Sequence, residues 1–231
     1  MNVATQDPDH DWGTLSAWAW GAAVVTDFLL EDPVLSPLVD PTKLMSMGHS
    51  RGGKTALWHA AQDTRVSATF PLMSGMGGNG PLRVATPRPS HPRGPAANCD
   101  SLHFPGDNCS ETVADITHSF PYWFHPRFAE FGAGNEERAP WDQHWQRVLV
   151  APRAQLGIEG LDNEHENPMG SQVSFTAART VYEWLGVPGK IGISFHPGGH
   201  PMNDRPGEEV RQLRHHFGKK SHAFDPFLTL F

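Results

Sequence analysis

The segment Met47-Gly48-His49-Ser50-Arg51-Gly52-Gly53-Lys54 constrains this 231-residue chain more than any other. A short apolar run, Lys43 to Met47, precedes it, and a strong helix-forming stretch, Lys54 to Asp63, follows it. A serine in a G-x-S-x-G pattern between a strand and a helix sits on a sharp, strained turn, with its hydroxyl pushed out above the sheet edge. Gly48 and Gly52 lack Cβ atoms, so the flanking chain can pack closely enough to make that turn. The following helix aims its first amides at the same place, where an oxyanion can be stabilised. Ser50 is a candidate nucleophile on this pattern, against the competing reading of an ordinary strand–helix turn.

The elements around this turn alternate. Gly13 to Leu30 carries apolar residues at helical spacing and predicts a helix ending before Glu31-Asp32-Pro33. Val66 to Pro71 reads as a second strand and leads into the glycine-rich Ser74 to Gly80. From Pro81 to Asn108 there is no period, and an irregular excursion is predicted over about 81–110. Beyond it lie a helix start after Ser110, an aromatic group (Phe120, Tyr122, Trp123, Phe124, Phe128) and a helical stretch from Trp141 to Leu149. Arg153 to Glu159 and Lys190 to Phe195 read as strands. Ser171 to Leu185 reads as a helix stopped by Gly186 and Pro188, and Glu208 to Phe217 as a last helix. This alternation predicts an α/β fold, one domain over 1–231, with a mostly parallel sheet and helices on both faces.

Composition narrows the partners. A net charge of −7 leaves no chain-wide basic field to attract nucleic acid or an anionic membrane. No apolar run reaches the ~20 residues that span a bilayer, and the polar start, Met1 to His10, is unlike a signal peptide. Cys99 and Cys109 are the only cysteines. A disulfide, suited to an oxidising compartment, and two free thiols both fit them. The 14 histidines raise a metal hydrolase as a reading, but H-E-x-x-H is missing and Glu164-His165-Glu166 crowds its ligands. No metal and no other cofactor is expected. Trp12, Trp18, Trp20 and Trp58 read as helix-face core, and the aromatic group at 120–128 reads as core before ligand surface.

A serine hydroxyl needs a base, and on this kind of site the chain order is serine, acid, histidine. His200 sits best, in the loop Phe195-His196-Pro197-Gly198-Gly199-His200 just past the last strand. His196 is nearer the strand and reads as structural, while His215 and His216 fall on the last predicted helix.

Ser50 to Trp58 (SRGGKTALW) resembles the nucleophile segment of bacterial glucuronoyl esterases, carbohydrate esterase family 15, within the α/β-hydrolase superfamily. Further matching stretches are Trp18 to Gly21, Glu111 to Phe124, Asp142 to His144 with Ala151 to Arg153, and Pro197 to His200. They run in order over nearly the whole chain outside 81–108. The resemblance implies cleavage of the ester between 4-O-methyl-glucuronic acid on xylan and a lignin alcohol, and with it a secreted or periplasmic location. It makes Ser50 the nucleophile, His200 the base, Arg51 an oxyanion donor, and Lys54 and Glu111 sugar ligands. The family places its acid at positions that fall on Met73 or Asn163 here. The acid expected is therefore Asp162, next Glu164, and third Glu166. The family's sugar-contacting tryptophan falls at His165, the substitute substrate contact.

Only one strand is found before Ser50, whereas this fold usually sets several there, so a sheet lacking its N-terminal strands is expected. A raw edge invites pairing, and a homodimer covering it is one expectation. Two other functions stay open: a broad carboxylesterase for small or aryl esters, and a carbohydrate-binding pseudoenzyme without its acid.

Overall fold

The computed structural model describes residues 12–86 and 109–200. Within them the periodic stretches are helices: α1 (Thr14–Glu31), α2 (Arg51–Gln62), α3 (Val113–Ser119), α4 (Gln143–Val148) and α5 (Pro168–Trp184). The short apolar runs are strands: β1 (Met45–His49), β2 (Ala68–Leu72), β3 (Ala154–Gly160) and β4 (Ile191–His196). All pairings are parallel and the strands lie side by side in chain order. Parallel neighbours need long crossovers, which is why each strand is followed by a helix or an excursion.

Register sorts the two faces of the sheet. Thr69 pairs with Gln155 and Gln155 with Ile191, so the three share a face. There the Thr69 hydroxyl donates to the Ala56 carbonyl of α2 at 3.2 Å. The Gln155 amide donates to the Arg147 carbonyl of α4 (2.8 Å) and to the Tyr182 hydroxyl of α5 (2.7 Å). α2, α4 and α5 thus form one layer, with α1 packed against α2. The opposite face presents Ala68, Leu72, Leu156 and Ile158, all buried. The predicted last helix, with His215 and His216, lies outside the described residues.

Four expectations change. α2 begins at Arg51 instead of Lys54, so the turn before it is the single residue Ser50. α5 begins at Pro168, because Asn167 caps it by accepting from the Gly170 amide at 2.9 Å. β1 is a half-exposed edge strand and no buried one, with Met47 73% exposed. Trp12, Trp18 and Trp20 are no core residues: all three are exposed, Trp20 at 71%, Trp58 is half-buried, and α1 buries Leu15, Ala19 and Thr26 instead. Of the aromatic group, Trp123 and Phe128 are buried and Phe120 stacks on Trp123 at 3.8 Å, while Tyr122 is exposed.

The excursion leaves the fold from closed stems. The Cys109 amide donates to the Thr86 carbonyl (2.8 Å), and the Thr86 amide to the Ser110 hydroxyl (2.8 Å). Cys109 is disulfide-bonded, and Cys99 lies outside the described residues.

Arg147 is fully buried under the helix layer. It donates to Asn79 Oδ1 (2.8 Å) and Gln155 Oε1 (3.3 Å), and Asn79 passes a bond to Glu159 Oε1 (2.6 Å). Burial pulls the guanidinium down to about 10 and pushes the Glu159 carboxyl up to about 8. Removing one partner strands the other in a site without water. Arg147→Ala is expected to lower stability by about 3–5 kcal/mol in urea unfolding. Glu159→Gln alone should cost less, since the Glu159 carboxyl is held at about 8 and is largely protonated near neutrality.

Candidate active site

Ser50 joins β1 to α2 with φ 56° and ψ −124°, a conformation that side chains other than glycine rarely adopt. Its amide donates to the Leu72 carbonyl at the end of β2 (2.9 Å), and its carbonyl accepts from the Gly53 and Lys54 amides of α2. The first-turn amides of Arg51 and Gly52 have no acceptor within the helix and are the natural oxyanion donors. Two glycines make the turn compact. A Cβ at Gly48 would collide with the Gly52 carbonyl, and one at Gly53 would lie 2.9 Å from the Leu72 carbonyl oxygen. Gly52 itself has open space, so the steric need expected at Gly52 falls on Gly53.

His200 arrives beside this turn from the loop after β4. Its carbonyl accepts from His49 Nε2 at 2.8 Å, and the two rings are 4.6 Å apart. The loop is tied to the turn after β3. The Leu161 amide donates to the His196 carbonyl and the Asp162 amide to the Gly198 carbonyl, while the Asp162 carboxylate accepts from the Gly198 amide (2.9 Å). Ser50 Oγ makes no hydrogen bond among the described residues. The His200 loop thus reaches His49, the residue next to Ser50.

Behind His200 lies a buried polar wall. Glu166 Oε1 is 3.4 Å from His200 Nδ1, its Oε2 is 3.9 Å from Lys54 Nζ, and the Asn163 amide nitrogen is 3.2 Å from the same Nδ1. Lys54, 2% exposed, donates to the Ser74 carbonyl at 2.6 Å. Glu111 is also buried and lies 3.7 Å from His165 Nε2, and its amide bonds the His165 carbonyl. Burial pushes the Glu111 carboxyl up to about 8, with Lys54 opposing, and burial lowers the His165 ring. The Arg51 side chain is exposed at the start of α2.

The glucuronyl esterase family model, built on fungal enzymes, matches residues 6–186. Carbohydrate esterase MZ0003 from an unknown prokaryotic organism is 32% identical over 84% of this chain and 42% of its own length. A 4-O-methyl-glucuronoyl methylesterase from Podospora anserina is 31% identical over 80% of this chain and 35% of its own. The chain belongs to the glucuronoyl esterase family. A solved family 15 glucuronoyl esterase from Caldicellulosiruptor kristjansonii superposes with a TM-score of 0.73 at 33% identity, covering 88% of this chain. It is joined by a promiscuous family 15 esterase from a marine bacterial metagenome, with a TM-score of 0.70 at 30% identity. The fold is that of the α/β-hydrolases. The chain spans about half the length of these solved relatives, 49% in each case, and less than half of the two curated ones.

The carboxylates weighed from the sequence lie as follows around His200. Met73 is fully buried with φ 40° and offers no charge. The first expectation, Asp162, accepts from the Gly198 amide, and the half-buried Glu164 side chain has no polar partner among the described residues. Glu166, ranked third from sequence, is the carboxylate within ion-pair distance of His200. No cluster of three His, Cys, Asp or Glu residues is placed to hold a metal ion among the described residues.

Two other features resemble sites. Ser46 Oγ lies 3.3 Å from His59 Nδ1, and His59 Nε2 lies 3.6 Å from Asp63. That serine sits buried within a regular strand, without an elbow or open amides, so a substrate carbonyl cannot reach it. A cavity of about 590 Å³ is lined by Trp58, Trp123, Phe128, Trp141 and other aromatic side chains. Ser50 and His200 do not line it, and Lys54 is its link to the polar wall.

Burial pulls the His200 ring down to about 4, and the neighbouring His49 and Lys54 charges add to the fall. Glu166 Oε1 stands 3.4 Å from Nδ1, within ion-pair reach of the ring. A base works when deprotonated, so its rate is lost as pH falls through this value, while His165, His49, Glu166 and Lys54 surround the ring. Labelling of Ser50 by a serine-directed phosphonate should therefore keep its rate from neutrality down to about pH 5, with an acid limb near pH 4. An acid limb at ~6.5, the value of a free imidazole, would contradict this environment.

Proposed function

We propose that this chain hydrolyses a uronic-acid ester, of the glucuronoyl class, through an acyl-enzyme. The observation that carries the reading is the left-handed Ser50 at the β1–α2 turn, with the His200 loop bonded to its neighbour His49. In this mechanism the Ser50 hydroxyl attacks the ester carbonyl while His200 Nε2 takes its proton. The tetrahedral oxyanion is met by the first-turn amides of α2 and by the Arg51 guanidinium. His200 returns the proton to the departing alcohol, and water repeats the sequence to free the acid and restore Ser50. Lys54, Glu111 and His165 form the wall that would receive sugar hydroxyls, with Glu111 protonated near neutrality and able to donate. No cofactor and no metal enters the scheme.

One observation favours the broader carboxylesterase reading. The family's tryptophan position is His165, whose imidazole is turned to Glu111 and offers less stacking surface to a sugar. The disulfide at Cys109 supports an oxidising, secreted or periplasmic setting. Methyl glucuronate and p-nitrophenyl acetate separate the enzyme readings. The glucuronoyl assignment expects kcat/KM at least ~10-fold higher on the uronate ester, a margin of one kcal/mol or so of specific binding. Ser50→Ala should abolish both activities and phosphonate labelling, and Ser46→Ala should leave them intact. A wild-type chain that is not labelled points to the pseudoenzyme.

Among the described residues β1 pairs on one side only and exposes Met45 and Met47, and α1 exposes Trp20, Val25 and Phe28. We propose that a second copy covers this edge. Light scattering should give a dimer mass that Met47→Lys lowers, since a charge on an edge strand opposes pairing. A monomer at all concentrations overturns it.

A further inference from the structure

We propose, resting on the esterase reading, that Glu166 is the positioning residue of His200 and acts by choosing its tautomer. Two side chains face the same ring nitrogen, Nδ1: the Asn163 amide nitrogen at 3.2 Å and Glu166 Oε1 at 3.4 Å. Their demands are opposed. An amide nitrogen only donates, so it needs a lone pair on Nδ1, which sends the ring proton to Nε2. A carboxylate only accepts, so it needs Nδ1–H, which leaves Nε2 free to take a proton from Ser50. A base of the second kind works and one of the first kind does not.

The surroundings decide for Glu166. It is 3% exposed, with no hydrogen bond to Oε2 among the described residues, so its charge cannot be met by water and seeks a donor within reach. Lys54 Nζ, 3.9 Å from Oε2, supplies the opposite charge that keeps the carboxylate an acceptor. Asn163 pays nothing to yield. Its side chain has no other hydrogen bond among the described residues, and a half-turn of its amide brings Oδ1 to Nδ1–H in place of the nitrogen. Both residues point at the ring for a geometric reason. Glu164–Glu166 is a 3₁₀ turn whose preceding residue is Asn163, and side chains three apart eclipse in such a turn. Gly75 leaves the room: a Cβ there would strike Glu166 Oε2.

The direct test is NMR of ¹⁵N-histidine-labelled wild-type protein at pH 7, with the His200 signal assigned by its loss in His200→Gln. The expected result is a ring protonated at Nδ1 with an unprotonated Nε2, and a proton on Nε2 overturns the proposal. In kinetics, Glu166→Gln should lower kcat by ~10²-fold or more with KM nearly unchanged, as loss of an orienting carboxylate does. Adding Asn163→Asp, which returns a carboxylate to Nδ1, should restore at least ~10-fold of it. Asp162→Asn, which alters the carboxylate that accepts from the Gly198 amide, should leave the Nδ1–H tautomer in place. If Glu166→Gln folds and keeps wild-type kcat while Ser50 is still labelled, the proposal fails and the esterase reading stands. If wild-type Ser50 is not labelled at all, the esterase reading fails, and the tautomer spectrum still judges Glu166. Should Glu166→Gln not fold, Asn163→Ala decides: it removes the other acceptor at Nδ1, the Nδ1 proton is expected to stay, and its loss overturns the proposal.

Discussion

The hydrogen bond from the Ser50 amide to the Leu72 carbonyl holds a left-handed residue at the point where β1 ends and α2 begins. That conformation costs on the order of 1–3 kcal/mol and persists only where its surroundings over-determine it. Here they do so from three sides: β2 takes the amide, α2 takes the carbonyl, and Gly48 and Gly53 leave no Cβ to obstruct the approach. Once Ser50 is set, the direction of α2 follows. Lys54, one turn along, is then carried beneath the β2 end, where Ser74 and Glu166 receive it. The site is an extension of this one turn.

Charge is the second constraint. Glu111, Glu159 and Glu166 are all buried, against two buried cations, Lys54 and Arg147. Burial holds the Glu111 and Glu159 carboxyls up to about 8, so both carry protons near neutrality and add little negative charge to the interior. Glu166 is the carboxylate that faces both Lys54 and His200. Such a wall suits a pocket that must receive polar groups of a substrate without admitting bulk water.

The four-stranded sheet carries these features on half the length of the solved relatives. Its second and third strands are buried on both faces, while β1 shows its methionines to solvent. α1 follows the same logic. It is apolar nearly all round, so whichever side does not meet α2 remains exposed, and Trp20 and Phe28 lie there.

The sequence by itself determined what is local or ordered along the chain. Glycine spacing around Ser50, the alternation of strand and helix patterns, and the His200 loop after the last strand are one-dimensional signals, and each was legible. The length of the helices was legible to within a turn. Their first residues were not, because Asn167 and Ser50 as caps depend on backbone angles that composition does not reveal. Exposure of Trp18 and Trp20 was misread for a related reason: an apolar residue at helical spacing is core only if a neighbour arrives to cover it. Only the tertiary structure decided which carboxylate meets the imidazole. Asp162, Asn163, Glu164 and Glu166 are nearly equivalent in sequence. A 3₁₀ turn and the clasp between two loops from different strands send Asp162 to an amide and turn Asn163 and Glu166 inward. Such a choice is made by the packing of segments more than thirty residues apart in the chain, as Asn163 and His200 are, and no local pattern encodes it.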